Sequence, residues 1–104
     1  MIVLRVLSYN GAPADGQQAQ FDEIGGTIGR ADHNTMALPD PERHISRLQA
    51  EIIASGEIYQ IRNVGAANPI VVSGRSLAAG ESIGLRHGNE VRIGGYQLKV
   101  VDDL

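Results

Sequence analysis

The chain contains no cysteine. Nothing in it is stapled by disulfides, and thiolate metal sites and cysteine nucleophiles are excluded. Long apolar runs are missing too. Met1–Leu4 and Pro69–Val72 are among the longest and fall far short of the roughly 20 residues a membrane-spanning helix needs. No stretch joins a basic head, an apolar segment and a small-residue cleavage site in the manner of a secretory signal, so a soluble, cytoplasmic domain is expected. Lysine is almost absent: eight of the nine basic residues are arginine, and Lys99 is the exception. A formal net charge of −3 argues against nucleic acid, whose phosphate backbone attracts basic surfaces. The arginine bias still permits a local anion site, because the planar guanidinium fork suits phosphate or carboxylate. Ordinary surface solvation is the other reading.

At 104 residues the chain is expected to form a single domain over 1–104, burying roughly 60–70% of the surface its unfolded form exposes. Short apolar or alternating runs recur, separated by glycines and other turn formers. The expected strands are Ile2–Ser8, Ala19–Asp22, Gly26–Gly29, Gln49–Ala54, Ile58–Arg62, Ile70–Val72, Ser82–Leu85, Glu90–Ile93 and Tyr96–Val101. Glu57–Arg62 and Glu90–Ile93 alternate polar and apolar with the period of half-buried strands. Ser55-Gly56 and Gly94-Gly95 fall where hairpin turns demand positive φ. Arg47–Ile53 could pass for a helix but is too short to stand as one. Many short strands with turn signals between them predict an all-β antiparallel sandwich or barrel. The polar exit after Val100-Val101 suits the folded start of a longer protein.

The segment Gly25–Ile52 gathers Arg30, Arg43, His44, Ser46 and Arg47 around an irregular loop. Ser46 with a histidine (His33, His44 or His87) and Asp32 or Asp40 supplies the residue types of a nucleophilic triad. No G-x-S-x-G turn surrounds the serine, so a small hydrolase lacks its sequence context. The three histidines show no metal-ligand spacing. Gly25-Gly26-Thr27-Ile28-Gly29-Arg30 has neither the lysine of a P-loop nor the glycine spacing and following helix of a dinucleotide fold. Anion capture remains. Gly29-Arg30 closes a strand, where a residue without Cβ lets the chain turn and an arginine projects from the rim. Ser46-Arg47 opens the next strand with a hydroxyl donor beside a second guanidinium.

Gly29-Arg30, then Ser46, then Tyr59–Gly74 with its Asn63-Val64-Gly65-Ala66-Ala67-Asn68 loop, then Leu85–Gly94 resemble, in order, the motifs of the forkhead-associated (FHA) domain. The resemblance implies an FHA-like antiparallel β-sandwich of about eleven strands, with recognition loops at one end. It implies a non-enzymatic module that binds threonine-phosphorylated peptides, in cis or in trans, with no cofactor, metal, nucleic acid or membrane insertion. Carried over by position, Arg30 would hold the phosphate or the peptide beside it, Ser46 would donate to a phosphate oxygen, Arg47 takes the neighbouring contact position, and Asn68 would bond the peptide backbone. Gly29, Gln49 and Gly65 fall at structural positions of the motif.

Three departures qualify this. Gln49 stands where the family places a loop-bracing histidine, Ala67 replaces a threonine, and Pro69 replaces a glycine and restricts Asn68 to extended conformations. A phosphorylation-independent interaction scaffold is therefore the alternative. Leu38-Pro39-Asp40-Pro41-Glu42-Arg43 resembles a segment in the amino-terminal FHA domain of scaffold proteins of bacterial type VI secretion. That likeness implies a regulatory scaffold whose partner is a secretion component or a kinase substrate. Two prolines would stiffen this loop and lower the entropy lost on ordering it.

Overall fold

The computed structural model describes residues 1–14, 16–66 and 68–102. Period-two alternation becomes burial directly: in Ile58–Asn63 the side chains of Tyr59, Ile61 and Asn63 are buried and those between them exposed. In Glu90–Ile93 the buried pair is Val91 and Ile93. Because a one-residue slip would send every apolar side chain to solvent, these patterns set the register of their ladders.

Twelve strands form among the described residues: β1 (Ile2–Tyr9), β2 (Ala12–Pro13), β3 (Gln18–Phe21), β4 (Gly26–Gly29), β5 (Met36–Ala37), β6 (Ala50–Ser55), β7 (Ile58–Asn63), β8 (Ile70–Val72), β9 (Arg75–Leu77), β10 (Ser82–Leu85), β11 (Glu90–Ile93) and β12 (Tyr96–Asp102). Four match the expected bounds and five differ by one residue at one or both ends. Arg47–Ile53 holds no helix; β6 takes its second half. The strands β2, β5 and β9 were not expected. Each has only two or three residues, too few to show a period, and each is defined by pairing with the edge of a neighbouring strand.

One sheet runs β2-β1-β12-β11-β8-β9, with β3 also paired to β1; the other runs β10-β7-β6-β4-β5. All pairs are antiparallel except β4 with β5, which run parallel. The turns at Gly56 and Gly94 take φ of 64° and 57°. Leu7, left over as the register of β1 against β12 shifts between Val6 and Ser8, is a bulge that faces solvent at 39% exposure. Leu4, Phe21, Ile28, Met36, Leu38, Ile45, Ile61, Ile70, Leu77, Ile93 and Leu98 pack fully buried between the sheets. Ile45 and Leu38 belong to the long β5–β6 connection, so that loop is anchored by core side chains at two points. No helix here is long and apolar enough to cross a membrane.

Candidate functional site

The site is built where β4 ends. A Cβ on Gly29 would collide with the Arg47 carbonyl oxygen and lie 2.9 Å from the Asn34 amide nitrogen. Only glycine lets β4 pass this close to the incoming loop. The next residue is then bonded to that loop: the Arg30 N–H donates to the Ser46 carbonyl at 3.0 Å, and Arg30 Nε donates to the Ile45 carbonyl at 3.1 Å. Anchoring through Nε leaves the terminal nitrogens of a half-buried guanidinium available to an anion. The Ala31 N–H and Asn34 Nδ2 donate to the Arg47 carbonyl at 3.2 and 2.8 Å.

Asp40 holds the shape of the loop. Its carboxylate accepts the Ile45 N–H at 2.9 Å, the Tyr9 hydroxyl at 3.0 Å and the Glu42 N–H at 3.3 Å. Burial alone would raise its pKa. The hydrogen bonds from Ile45, Tyr9, His44 and Glu42 outweigh burial and hold it below the ordinary carboxylate value. Tyr96 donates to the Pro39 carbonyl at 2.6 Å, and its ring packs against Tyr9 in a tilted contact with centroids 4.4 Å apart. Both phenols titrate above their ordinary value, through burial first and the Asp40 carboxylate after it. Arg43 takes a φ of 58° and donates its N–H to the Asp40 carbonyl at 3.1 Å. The aspartate between Pro39 and Pro41 thus ties this loop to Tyr9 and to its own backbone.

Gln49 couples this loop to the core. It is 2% exposed. Its oxygen accepts the Ser46 N–H at 2.9 Å, and its amide nitrogen donates to Asn63 Oδ1 at 2.9 Å and the Asn68 carbonyl at 3.3 Å. Asn63, fully buried, donates across to the Leu77 carbonyl in the opposite sheet at 2.8 Å and accepts the Gly65 N–H at 3.0 Å. Gly65 also bonds the Gln49 carbonyl at 3.1 Å, and a Cβ there would collide with the Gln49 amide.

Ser46 is half-buried, and its hydroxyl has no partner among the described residues. The Arg47 guanidinium is exposed and equally unpartnered. Asn68 donates Nδ2 to the His44 carbonyl at 2.7 Å, which ties the β7–β8 loop to the loop of Ser46. Arg30, Ser46, Arg47 and Asn68 therefore share one hydrogen-bonded loop cluster at one end of the sandwich. Ala67 lies outside the described residues. Among the described residues no group of acidic and histidine side chains could hold a metal ion.

Asp40, Asn34 and Asn63 support the site and were not singled out for it from sequence. Asp40 was weighed as a triad acid and as one residue of the Leu38–Arg43 segment, not as a support for the loop. Its place between two prolines before Arg43 is the one local signal that could have marked it. Asn34 reaches the Arg47 carbonyl and Asn63 the Leu77 carbonyl, partners distant in sequence of which local pattern carries no trace.

Comparison with solved structures finds the same fold repeatedly. The FhaA FHA domain complexed with the intracellular domain of Rv3910 superposes with a TM-score of 0.81 at 22% identity, over 96% of this chain and 99% of that one. An FHA domain from a structural and functional analysis of phosphothreonine-dependent FHA domain interactions gives 0.80 at 22%, over 99% and 97%. The FHA domain of CT664 protein from Chlamydia trachomatis gives 0.79 at 24%, over 99% and 98%. At such identities the likeness is one of fold. No curated protein sequence matches. Residues 26–94 match the family profile described as FHA domain, and the chain belongs to the FHA domain family.

Proposed function

We propose that this domain is a phosphothreonine-peptide recognition module, non-enzymatic and cytoplasmic, serving as a regulatory scaffold in bacterial type VI secretion. The observation that carries the reading is Arg30, anchored through Nε to the Ile45 carbonyl beside a Ser46 hydroxyl with no partner among the described residues. A fixed guanidinium and an uncommitted hydroxyl are what a phosphate's oxygens require. Arg47 adds a second positive charge, and Asn68 keeps its side-chain oxygen for a peptide backbone. Each charge-assisted bond contributes roughly 1.5–3 kcal/mol, so two or three support micromolar affinity. Two of the similar structures concern FHA domains in a protein complex and in phosphothreonine-dependent interactions, which supports the same reading. The secretion role rests on Leu38–Arg43, and it makes this domain part of a larger scaffold whose partner is a secretion component or kinase substrate.

Titration with a phosphothreonine peptide library beside its unphosphorylated counterparts tests the first part. Arg30→Ala is expected to abolish the preference for phosphate; equal binding of both peptide forms, or full binding by the variant, would refute it. In the host, Arg30→Ala is expected to impair type VI secretion, and unchanged secretion would separate the secretion role from phosphate reading.

One observation favours a phosphorylation-independent scaffold instead: the Asn68 amide is already engaged on His44. On that reading the loops form a fixed protein-binding surface, and phosphorylation of a ligand leaves affinity unchanged.

A further inference from the structure

Strand β10 lies at the edge of its sheet, with β7 as its one partner. The Asn63 N–H donates to the Glu81 carbonyl at 2.9 Å, and in an antiparallel ladder, residues that exchange hydrogen bonds alternate with residues that do not. Counted from that bond, Ile83 and Leu85 turn their backbone groups toward β7, and Ser82 and Gly84 turn theirs outward. Gly84 is exposed, and even a Cβ there would meet nothing closer than 3.9 Å. Edges are usually protected by lysine, proline or a bulge; β10 has none of these.

This edge borders a cleft of about 420 Å³ whose far wall is the β8–β9 hairpin. Arg75 pairs with Val72 across that hairpin, so the two share a face of the sheet. Val72 is 2% exposed and faces the core, yet Arg75 reaches solvent. An arginine in a core-facing register position marks a place where the rim between the sheets is open. Arg86 lines the cleft from the end of β10, and Ile83 contributes apolar surface beside Val72. Among the described residues no acidic side chain lines it, and neither guanidinium has a partner. Glu81, just before β10, is occupied in its own turn, where it accepts the Ala78 N–H at 2.8 Å. Two unpartnered arginines over an apolar wall, in a chain of net charge −3, are complementary to a negatively charged ligand.

We propose that this cleft is a second docking groove, which takes an extended acidic segment of a partner protein as an added strand on β10. The segment's backbone bonds the outward N–H and C=O of Gly84, small apolar side chains rest on the half-buried Ile83, and carboxylates pair with Arg75 and Arg86. Because β8 leads away from Asn68 toward the turn at Ser73 and Gly74 (φ 45° and 87°), the groove lies toward the end of the sandwich opposite Ser46. Its occupancy is independent of the phosphopeptide reading.

The test is a nuclear magnetic resonance titration of the isotope-labelled chain with a synthetic peptide of alternating valine and glutamate, and with a lysine-for-glutamate control. Shifts confined to Ser82–Leu85 and the β8–β9 hairpin are expected, with slowed exchange of the Gly84 amide. Combining Arg75→Glu with Arg86→Glu is expected to weaken binding at least about tenfold, whereas Arg30→Ala leaves it unchanged. Both reversed positions are exposed, and the mapping on the unaltered chain decides the matter even without the variant. Absence of binding, equal binding of the lysine peptide, shifts that map to the Ser46 loops, or undiminished binding by the folded double variant would each overturn the proposal.

Discussion

The side-chain oxygen of Gln49 accepts the backbone N–H of Ser46 at 2.9 Å. Through its amide nitrogen the same side chain is bonded to buried Asn63, which reaches the opposite sheet. Ser46 is therefore held by the core, and a disturbance of this buried amide reaches its loop directly.

Replacing Gln49 by alanine leaves the Ser46 N–H without its acceptor and Asn63 Oδ1 without one of its donors, and it opens a void. The expected loss is about 2–4 kcal/mol, read as a lower urea midpoint, with phosphopeptide affinity falling alongside. An unchanged midpoint would mean that water replaces the lost bonds in full.

Gly29→Ala places a methyl group against the Arg47 carbonyl oxygen. A backbone atom held by hydrogen bonds from Ala31 and Asn34 yields less readily than a flexible side chain, so overpacking is expected to cost about 1–3 kcal/mol. Thermal unfolding checks this: a melting temperature equal to the parent's would show that the loop moves aside freely.

Asp40 makes stability depend on acid. Its folded pKa lies below the ordinary value of 3.8, so its contribution is fully present above that value and is lost as pH falls through the folded pKa. Denaturant unfolding between neutrality and strong acid is expected to show this loss, with a shallower acid slope in Asp40→Asn. Tyr9 and Tyr96 act at the other extreme. Their folded pKa values lie above 10.0, so their contribution holds below that pH and is lost as pH rises through the folded values. An acid slope identical in Asp40→Asn would remove the carboxylate from this account.

Pro69→Gly tests the loop beside Asn68. Proline narrows the conformations of the unfolded chain, so its removal is expected to cost roughly 0.4–1 kcal/mol, with no gain in peptide affinity because the Asn68 amide is already bonded to the His44 carbonyl. A rise of about tenfold, roughly 1.4 kcal/mol, would show that the proline keeps Asn68 from the ligand.

Much of the architecture is legible along the chain. Strands such as β7 and β11 announce themselves because one face meets a core and the other meets water, and that contrast is written residue by residue as period-two alternation. The Gly-Arg pair, the serine and the asparagine are legible by their order. The supports beneath them are not. Asp40 meets Tyr9 across 31 residues and Tyr96 meets the Pro39 carbonyl across 57, and nothing local records a partner at that distance.

By itself the sequence determined the alternation that makes two sheets, the turns that need positive φ, and the residue types able to hold an anion, since each depends on neighbours within a few positions. Only the tertiary structure decided that β2, β5 and β9 exist, that Asp40 bonds the loop between the prolines to Tyr9 and Ile45, that Gln49 ties Ser46 to the core, and that the rim beside β10 stays open. Each of those depends on which distant backbone edge or polar group comes within bonding reach, and packing alone sets that distance.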